Sequence, residues 1–482
     1  MKKLFVSTIF GLFCIALVSC TQGGGSIAPS SATDISDETE TASSDIPAAS
    51  GAGDDAGLPD DADACTFWFA ATDEAGKVMR EIVDDYNAQY PETPIRLTLF
   101  PDESTLYDEI QAAVALNSEP DITVLNMDNT RELFERGLTQ NINDVIKDET
   151  RLMNVLAAQG RTEDGTLFAP PFYGVTQVMF YNRDAFAQAG IDVSTINTWQ
   201  DLANAAAKLK QRRICETGWE LYWGYENMMD AVLGNGGTIF SEDGRTVAIN
   251  TPEWVDVWEQ FRIWIHEDGC MRVHTGGVGD EWLVFTRQDV QDGLAGGYTA
   301  SSGDRGDMDT SDIGIFRQPA WQAGQLSCPG VRACLFNVFA SAEGTHLEAA
   351  KAFVRYATDA SAQIKWATGT GFVPSSTDII KDDHYVNWLS RHPNADIPMR
   401  QCMNAVMYPE DPTGGEVKQI MVRAADRILI ENIPAEQVLE DAQRDIQRLL
   451  DKAHTPPAEG EAEPDAYTDE TAEDDTETEG TP

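Results

Sequence analysis

A short stretch near the middle of the chain places aromatic side chains beside a carboxylate. Trp219, Tyr222, Trp223 and Tyr225 are followed by Glu226, in a segment without clean helical periodicity. Aromatic faces stack on the C–H faces of sugar rings and short polyols, while carboxylates accept hydrogen bonds from hydroxyl groups. The stretch therefore predicts a binding site for a polyhydroxy compound. Packing in the core is the alternative role for each aromatic residue.

Four other side chains could hold an anion or a hydroxyl group. Ser301 and Ser302 precede Gly303, and the exposed N–H groups at a helix start bind anions. The same serines could instead cap that helix. Arg332 and Arg400 could each hold a phosphate through a charge-assisted pair, and for Arg400 a surface ion pair is the alternative.

Motifs that would identify an enzyme or a metal site are missing from the sequence. G-x-S-x-G, H-E-x-x-H, G-x-x-x-x-G-K-[ST] and C-x-x-C do not occur, and the six histidines are scattered without metal-ligand spacing. Asp307, Asp309 and Asp312 only loosely resemble a calcium loop, since its fixed glycine and closing glutamate are absent. We expect no catalytic residue, no metal and no cofactor. A carboxylate pair for glycoside hydrolysis stays open, because no spacing selects one among so many acids.

The overall charge argues against nucleic acid as a partner. The 482 residues include 80 acidic and 34 basic side chains, which give a net charge of −46 at pH 7. Affinity for a phosphate backbone comes mainly from clustered Lys and Arg that displace counterions. The same acidity disfavours adsorption of the protein surface to an anionic membrane. At roughly 100 to 200 residues per domain, the length allows about two to four domains.

The first 19 residues have the pattern of a signal peptide. Two lysines precede an apolar run from Leu4 to Val18, which is shorter than the roughly 20 apolar residues of a spanning helix. Leu17-Val18-Ser19-Cys20 resembles a bacterial lipobox, in which Cys20 becomes the lipid-bearing first residue. An ordinary signal peptide with a chance cysteine is the alternative. We expect a protein on the extracytoplasmic face of the cell membrane, anchored only by lipid.

Two acidic segments flank the part of the chain that should fold. Residues 20–64 begin with the lipidated cysteine and continue as a Gly, Ser, Ala and Thr-rich stretch with ten acids and no Lys or Arg. Residues 455–482 carry eleven acids and no Lys or Arg. Such compositions bury too little apolar surface to offset chain entropy. We expect a disordered tether and a disordered acidic tail, each a solubilising segment, with cation binding as the alternative role.

Six cysteines lie beyond the signal peptide and Cys20. An even number in an oxidising compartment allows up to three disulfides, with fifteen possible full pairings. A bridge between Cys215 and Cys270, which bracket a Trp-rich stretch, is the first hypothesis. The six are Cys65, Cys215, Cys270, Cys328, Cys334 and Cys402.

The start of the folded part alternates strand and helix patterns. Residues 66–69, 95–99 and 122–125 are short apolar or alternating runs, and amphipathic helical patterns separate them. This order predicts a mostly parallel α/β sheet. Ligands of such sheets bind beyond the carboxyl ends of the strands, which places Asp102 and residues 126–129 at a candidate site. Thr198 and Asp201 form a capping-box pattern that starts a later helix.

Several segments in the middle and late parts of the chain have a recognisable pattern and order. They are residues 168–186, 198–202, 293–303, 349–354 and 366–374. The first begins Phe-Ala-Pro-Pro-Phe-Tyr-Gly and contains Tyr173, and the last contains Thr-Gly-Phe-Val-Pro. In this order they resemble bacterial extracellular solute-binding proteins of family 1, the receptors of ABC importers; the first resembles the family's crossover segment and the last its late turn. Within the family, the nearest likeness is to members that bind glycerol 3-phosphate.

The resemblance implies a two-lobed α/β fold of the type II periplasmic-binding-protein class with a hinge between the lobes. It implies that Ser301 or Ser302 donates to a ligand oxygen, that Arg400 pairs with an anion and that Trp219 stacks on the ligand. It implies a small-molecule ligand, ABC permease subunits as partners, and a monomer. A secreted carbohydrate-active enzyme, or a binding protein with a sensor or adhesion role, is the alternative function.

The sequence departs from the family at several pocket positions. Phe372 stands where the family has a tyrosine, and Gly174-Val175 replaces a serine pair. Val331-Arg332 replaces a glycine pair, and the family's first-lobe glutamate falls at Met127 or Asp128. These losses of polar groups favour a neutral saccharide or polyol over glycerol phosphate.

The resemblance also predicts where the chain divides between the lobes. Three crossings are expected, near residues 173–180, 312–316 and 358–362. The first lobe would then contain residues 65–177 and 317–358. The second lobe would contain residues 178–316 and 362–454.

Overall fold

A computed structural model gives the fold of the chain. The predicted signal peptide, Cys20, the tether and the acidic tail lie outside the described residues, so these predictions remain expectations. The described residues are 63–71, 73–241, 243–276, 281–408, 411, 413 and 415–453.

Strands and helices alternate through most of the described residues. The strands are β1 (Cys65–Ala70), β2 (Ile95–Phe100), β3 (Ile122–Asn126), β4 (Pro171–Asn182), β5 (Trp219–Leu221), β6 (Met271–Val273), β7 (Gly297–Ser301), β8 (Ile313–Phe316), β9 (Gly330–Val338), β10 (Val373–Pro374) and β11 (Val406–Met407). The helices are α1 (Asp73–Gln89), α2 (Glu103–Ala115), α3 (Met127–Glu135), α4 (Asn154–Ala157), α5 (Arg183–Ala189), α6 (Trp199–Gln211), α7 (Glu226–Gly234), α8 (Pro252–Arg262), α9 (Glu281–Gln291), α10 (Gly344–Ala357), α11 (Ala360–Thr370), α12 (Asp383–Arg391), α13 (Ile397–Cys402), α14 (Glu416–Leu429) and α15 (Ala435–Ala453).

The first lobe is built on the sheet order β2-β1-β3-β9-β4. β1 pairs in parallel with β2 and β3, as the alternating pattern predicts, whereas β9 runs antiparallel to β3 and β4. Phe67 and Phe69 point from β1 into a core that also holds Phe336 and Phe353. The predicted α/β architecture is confirmed.

β4 carries the chain from the first lobe to the second. Its first half pairs with β9 up to Thr176, and its second half pairs with β7 from Gln177 onward. The change of partner falls inside the predicted crossing at residues 173–180. Since one continuous strand serves both sheets, the two lobes share a backbone connection at this point.

The second lobe surrounds the strand order β7-β5-β6 with helices. α6, α8, α14 and α15 pack around Trp199, Trp254, Trp258 and Trp264 in one buried cluster. α6 begins with the predicted capping box, in which the Thr198 side chain accepts from the Asp201 backbone and Asp201 accepts from the Thr198 backbone. This lobe is therefore held by a core rich in tryptophan.

The later crossings differ from the predicted positions. Trp321 still packs on Phe261 and Trp264 of the second lobe, so the chain enters the first sheet only as β9, after residues 312–316. Trp366 of α11 packs on Phe69 and Phe172 of the first lobe.

The third crossing consequently lies between α13 and α14 rather than near residues 358–362. α12 and α13 contribute Tyr385 and Met399 to a cluster with Leu156 and Val331. α14 and α15, by contrast, contribute to the second-lobe cluster. Helical periodicity in the sequence identified these helices but did not show which sheet each one covers.

All six cysteines of the described residues are free thiols, so the predicted Cys215–Cys270 bridge is not formed. Burial raises the pKa of both thiols to about 11, and they pack as small apolar groups in the second-lobe core. No helix of the described residues combines the length and apolar character that membrane crossing requires.

Candidate functional site

A cleft of about 300 Å³ lies between the two lobes and takes residues from both. The first lobe contributes the carboxyl end of β3 and the start of α2, and the second lobe contributes α7 and α14. The crossing strands form its floor. The lining residues are Glu103, Asn126, Met127, Asp128, Gln159, Val175, Tyr225, Met229, Ile239, Phe240, Val331, Arg332, Cys334, Tyr408, Asp411, Gly415, Val417, Lys418 and Met421.

The first-lobe wall is polar and preorganised. Asn126 ends β3 and caps α3, since its side chain accepts from the Asn129 backbone N–H at 3.0 Å. Glu103 accepts from the Asn126 backbone at 2.8 Å and from its amide at 2.6 Å. Burial raises the pKa of Glu103, and these hydrogen bonds offset part of the effect. The wall thus offers fixed carboxylate and amide groups at the strand end that the sequence indicated.

Asp128 lies on the same wall, in the first turn of α3. The residue is exposed, but partial desolvation of its carboxyl by the surrounding protein raises the pKa of that group, while Arg332 and Lys418 act in the opposite direction. Asp102, the other strand-end candidate, instead caps α2 by accepting from Thr105 at 2.8 Å and does not line the cleft.

Arg332 occupies the floor of the cleft on β9. Its guanidinium lies 3.6 Å from the Glu226 carboxylate and 5.1 Å from the ring centre of Tyr408. Burial alone would lower the pKa of this group, but Glu226, Tyr225 and Tyr408 raise it above the ordinary value. A charge that already has a carboxylate partner and an aromatic face is held in place before any ligand arrives.

The second-lobe wall is mainly apolar. Tyr225 is buried ahead of α7, and burial raises the pKa of its hydroxyl to about 12. Met229, Phe240, Val417 and Met421 add apolar surface from α7, the following loop and α14. A polar wall facing an apolar one suits a ligand with hydroxyl groups on one face and C–H groups on the other.

A buried amide holds the first crossing. Gln401, in α13, donates from Nε2 to Thr176 Oγ1 at 3.0 Å and to the Gln177 carbonyl at 2.7 Å. Its Oε1 accepts from the Gln318 backbone N–H at 2.8 Å. One side chain therefore ties together two segments that pass between the lobes. Sequence reasoning missed it, because no local pattern links residues more than 200 positions apart.

Asp230 forms a second buried polar centre behind the floor. Its carboxylate accepts from Gln318 Nε2 at 2.8 Å, from the Gly330 backbone N–H at 2.9 Å and from the Tyr408 hydroxyl. Burial raises the pKa of Asp230 to about 6, although these hydrogen bonds lower it in part. Asp230 therefore fixes the entry to β9 and the position of Tyr408.

Only part of the predicted aromatic cluster reaches the cleft. Trp219 is fully buried, and its Nε1 donates to Thr299 Oγ1 at 3.1 Å, so its predicted stacking on a ligand is wrong. Tyr222 and Trp223 both pack edge-on against Trp282. Trp223 also donates from Nε1 to Asp426 at 2.8 Å. Of the four aromatic residues, Tyr225 lines the cleft.

The anion candidates other than Arg332 lie elsewhere. Arg400 is exposed and pairs with Asp396 at 2.9 Å, outside the cleft, because it falls on the solvent side of α13. Ser301 accepts from the Gly303 backbone N–H at 3.2 Å, which is the capping alternative. Ser302 is fully buried, and its hydroxyl has no hydrogen-bond partner among the described residues.

Tyr173 and Phe372 pack together behind the cleft. Their ring centres are 4.8 Å apart, and Phe372 also stacks on Trp366 at 5.8 Å. Gly303 approaches Phe372 so closely that a Cβ there would lie 2.2 Å from its ring. Burial raises the pKa of the Tyr173 hydroxyl well above its usual value. Neither ring lines the cleft, so both support its floor rather than contact its contents.

The chain belongs to the bacterial extracellular solute-binding proteins, because the profile of a family with that description matches residues 81–392. The family resemblance read from the sequence is thereby confirmed.

Two individual relatives have the same name. The sn-glycerol-3-phosphate-binding periplasmic protein of Rhizobium meliloti (strain 1021) is 23% identical over 80% of this chain and 91% of its own. Its counterpart from Escherichia coli O1:K1 / APEC is 25% identical, covering 71% of this chain and 81% of its own.

Solved structures show the two-lobed fold. UgpB from Mycobacterium tuberculosis, in complex with glycerophosphocholine, superimposes with a TM-score of 0.69 at 16% identity, covering 81% of this chain and 99% of its own. The cyclic alpha-maltosyl-1,6-maltose binding protein from Arthrobacter globiformis gives 0.67 at 18% identity, with the same coverage. At such identities the likeness concerns the fold alone.

Proposed function

We propose that the protein is the solute receptor of an ABC importer and that it captures a sugar or polyol by closing its lobes around the cleft. The observation that carries this proposal is the lining of the cleft, which joins Asp128 of the first lobe, Arg332 of a crossing strand and Tyr225 of the second lobe. A ligand that contacts all three favours the closed form. Small-angle scattering should show a smaller radius of gyration at ligand saturation, and an unchanged profile would contradict closure.

The groups in the cleft favour a neutral polyhydroxy ligand. Glu103, Asn126 and Asp128 offer several acceptors for hydroxyl protons, and Tyr225 with Phe240 offers apolar contact. The positive charge of Arg332 is already opposed by Glu226. Because the lining also contains Asp411, carboxylates outnumber cations, which disfavours a doubly charged phosphate.

Glycerol phosphate is the second candidate ligand, and two observations favour it. The curated relatives named above are glycerol-3-phosphate-binding proteins. Arg332 and Lys418 both line the cleft, and together they could hold a phosphate through charge-assisted hydrogen bonds. A thermal-shift screen of sugars, polyols and glycerol phosphates separates the two classes by the compounds that raise the melting temperature.

A receptor returns its ligand unchanged, whereas a carbohydrate-active enzyme consumes it. The stabilising compound should therefore be recovered intact after prolonged incubation with the protein. Release of any cleavage product, abolished by substitution of a cleft carboxylate, would favour the enzyme.

The proposed receptor is a monomer that is anchored through lipid on Cys20 and delivers its ligand to permease subunits. The lipobox-like sequence at residues 17–20 supports the anchor. Cys20→Ala should release the protein from membranes or block its processing, while Cys14→Ala, inside the apolar run, should leave membrane retention unchanged. A correctly processed Cys20→Ala protein that stays on the membrane would contradict the anchor.

A further inference from the structure

Three side chains of types that can bind a metal converge at the β5–β6 edge of the second-lobe sheet, away from the cleft. Glu220 of β5 stands beside Arg272 of β6, and His274 follows two residues later on the same face. Asp289 comes from α9, which packs against β7 and β4. One ligand atom from each of Glu220, His274 and Asp289 lies within 4.8 Å of the others.

The hydrogen bonds of the cluster leave one buried oxygen without a donor. Arg272 donates from Nε to Glu220 Oε1 at 2.7 Å and also contacts Asp289 Oδ2. Glu220 is fully buried, and its Oε2 has no hydrogen-bond partner among the described residues. His274 Nε2 lies 3.5 Å from this oxygen and 2.8 Å from Asp289 Oδ2.

A proton on His274 cannot satisfy the whole arrangement. If Nε2 carries hydrogen, it donates to Asp289 over the shorter distance and leaves Glu220 Oε2 unpaired, which is costly for a buried carboxylate. If Nε2 carries a lone pair, it faces two carboxyl groups; burial raises the pKa of Glu220 to about 8, so Glu220 holds a proton at neutral pH and can donate it to Nε2 only over 3.5 Å, a long distance for an O–H donor. A cation between the three atoms would satisfy all of them at once.

We propose that Glu220, His274 and Asp289 bind a divalent transition-metal ion, for which Zn²⁺ is the test probe. Ligand atoms of a tetrahedral zinc site, at bond lengths near 2.0–2.1 Å, are about 3.3 Å apart, a value between the two distances from His274 Nε2. One imidazole with two carboxylates suits Zn²⁺ better than Ca²⁺ or Mg²⁺, which prefer oxygen ligands alone. A water completes the set, since His274 and Asp289 are partly exposed.

Arg272 takes the supporting role in this site. Its guanidinium binds Glu220 Oε1 and Asp289 Oδ2, and such outer contacts orient the ligands of a metal. Burial raises the pKa of Glu220 to about 8, so a bound dication takes the place of a proton that Glu220 holds at neutral pH. The ion would join β5, the segment after β6 and α9, and would stabilise the second lobe.

His346 provides a contrast within the same protein. It also contacts two carboxylates, but Asp63 lies 2.8 Å from its Nε2 and Asp121 lies 3.0 Å from its Nδ1. Different ring nitrogens make the two contacts, so these groups cannot converge on one ion. A histidine beside two acids is therefore not enough to form a metal site. Glu220, His274 and Asp289 differ from the His346 group because their ligand atoms converge on one point.

The test is calorimetry of the full chain, freed of metal by a chelator and titrated with Zn²⁺ in excess Mg²⁺ that occupies weak acidic sites. We expect one saturable site in the wild type. Glu220→Gln, Asp289→Asn and His274→Ala should each weaken it by roughly tenfold or more. His266→Ala is the matched control, because His266 bonds to the Ile428 carbonyl in a different contact, and it should keep wild-type affinity.

The visible absorption of bound Co²⁺ reports on the coordination of the ion. A purely structural role of His274 would leave this absorption unchanged. The wild type should give the visible bands of a site with low coordination number, and His274→Ala should lose them while retaining the circular dichroism of the metal-free fold. The proposal is overturned if no saturable Zn²⁺ site is found, or if the three ligand variants bind as tightly as the His266→Ala control. A variant that does not fold is replaced by either of the other two.

Discussion

The guanidinium of Arg332 lies 3.6 Å from the carboxylate of Glu226, and this pair connects the two lobes across the floor of the cleft. Arg332 belongs to β9 of the first sheet, and Glu226 begins α7 of the second lobe. Both side chains are only partly exposed. A ligand that enters the cleft therefore meets a cation with an existing partner.

The first prediction uses this pair to determine the charge of the ligand. Arg332→Ala should cost several kcal/mol of binding free energy, about 2 to 5, for a phosphorylated ligand, and much less for a neutral sugar. Glu226→Gln should strengthen phosphate binding, because it removes the competing carboxylate, and should have little effect on a neutral sugar. Calorimetry with both variants checks this. If Glu226→Gln weakens phosphate binding, Glu226 contacts the ligand rather than competing with it.

The second prediction concerns Gln401 at the first crossing. Gln401→Ala removes the partner of the buried Gln318 backbone N–H and two donors to β4. The free energy of unfolding should fall by roughly 1 to 3 kcal/mol. The adjacent Arg400→Ala is a matched control, since Arg400 is exposed, and its effect should be within about 0.5 kcal/mol. If urea denaturation gives the same loss of unfolding free energy for both variants, the Gln401 amide does not stabilise the crossing.

The third prediction follows from the raised pKa of Asp230. A carboxylate with a folded pKa of about 6 holds its proton more tightly in the folded chain than in the unfolded one. Its contribution to stability is complete below its ordinary pKa and is lost as the pH rises through about 6. Asp230→Asn has no such titration.

The stability of Asp230→Asn relative to the wild type should therefore increase between about pH 4 and pH 7, by on the order of 2 kcal/mol. Chemical denaturation of both proteins across this range measures the difference, in which the titration of all other groups largely cancels. If the difference in unfolding free energy between the two proteins does not change with pH, the pKa of Asp230 is not raised in the folded chain.

The fourth prediction distinguishes a core role for Trp219 from a ligand role. Trp219→Ala should lower the free energy of unfolding by roughly 3 to 5 kcal/mol, because the whole indole is buried. The milder Trp219→Phe should fold and bind ligand with wild-type affinity. If Trp219→Phe keeps its stability but loses the ligand, the indole does contact the cleft.

Much of the fold followed from local pattern in the sequence. The strand around Phe67 was predicted by a short apolar run and the strand around Leu97 by apolar alternation. The start of α6 was predicted by the reciprocal Thr198 and Asp201 cap. The position of Asn126 and Asp128 at the cleft followed from a general rule for parallel sheets. These features depend on neighbouring residues or on strand order, and both are visible in one sequence.

The details of the site depended on contacts between distant segments. Trp219 and Tyr225 belong to the same aromatic stretch of the sequence. The geometry of β5 turns Trp219 into the core, whereas Tyr225 reaches the cleft ahead of α7. Arg400 and Gln401 are adjacent, yet α13 exposes the first and buries the second. Such differences depend on which face of a helix or strand packs against a distant segment. The local spacing of residues in the sequence does not determine this packing.

The proposed receptor binds its solute between the lobes through Asp128 and Arg332. A calorimetric titration of the compound found by screening, with the wild type, Asp128→Ala and Arg400→Ala, tests this contact. We expect saturable one-to-one binding that Asp128→Ala weakens by roughly tenfold or more and that Arg400→Ala leaves unchanged. Binding that survives Asp128→Ala and is lost in Arg400→Ala would instead place the solute outside this cleft.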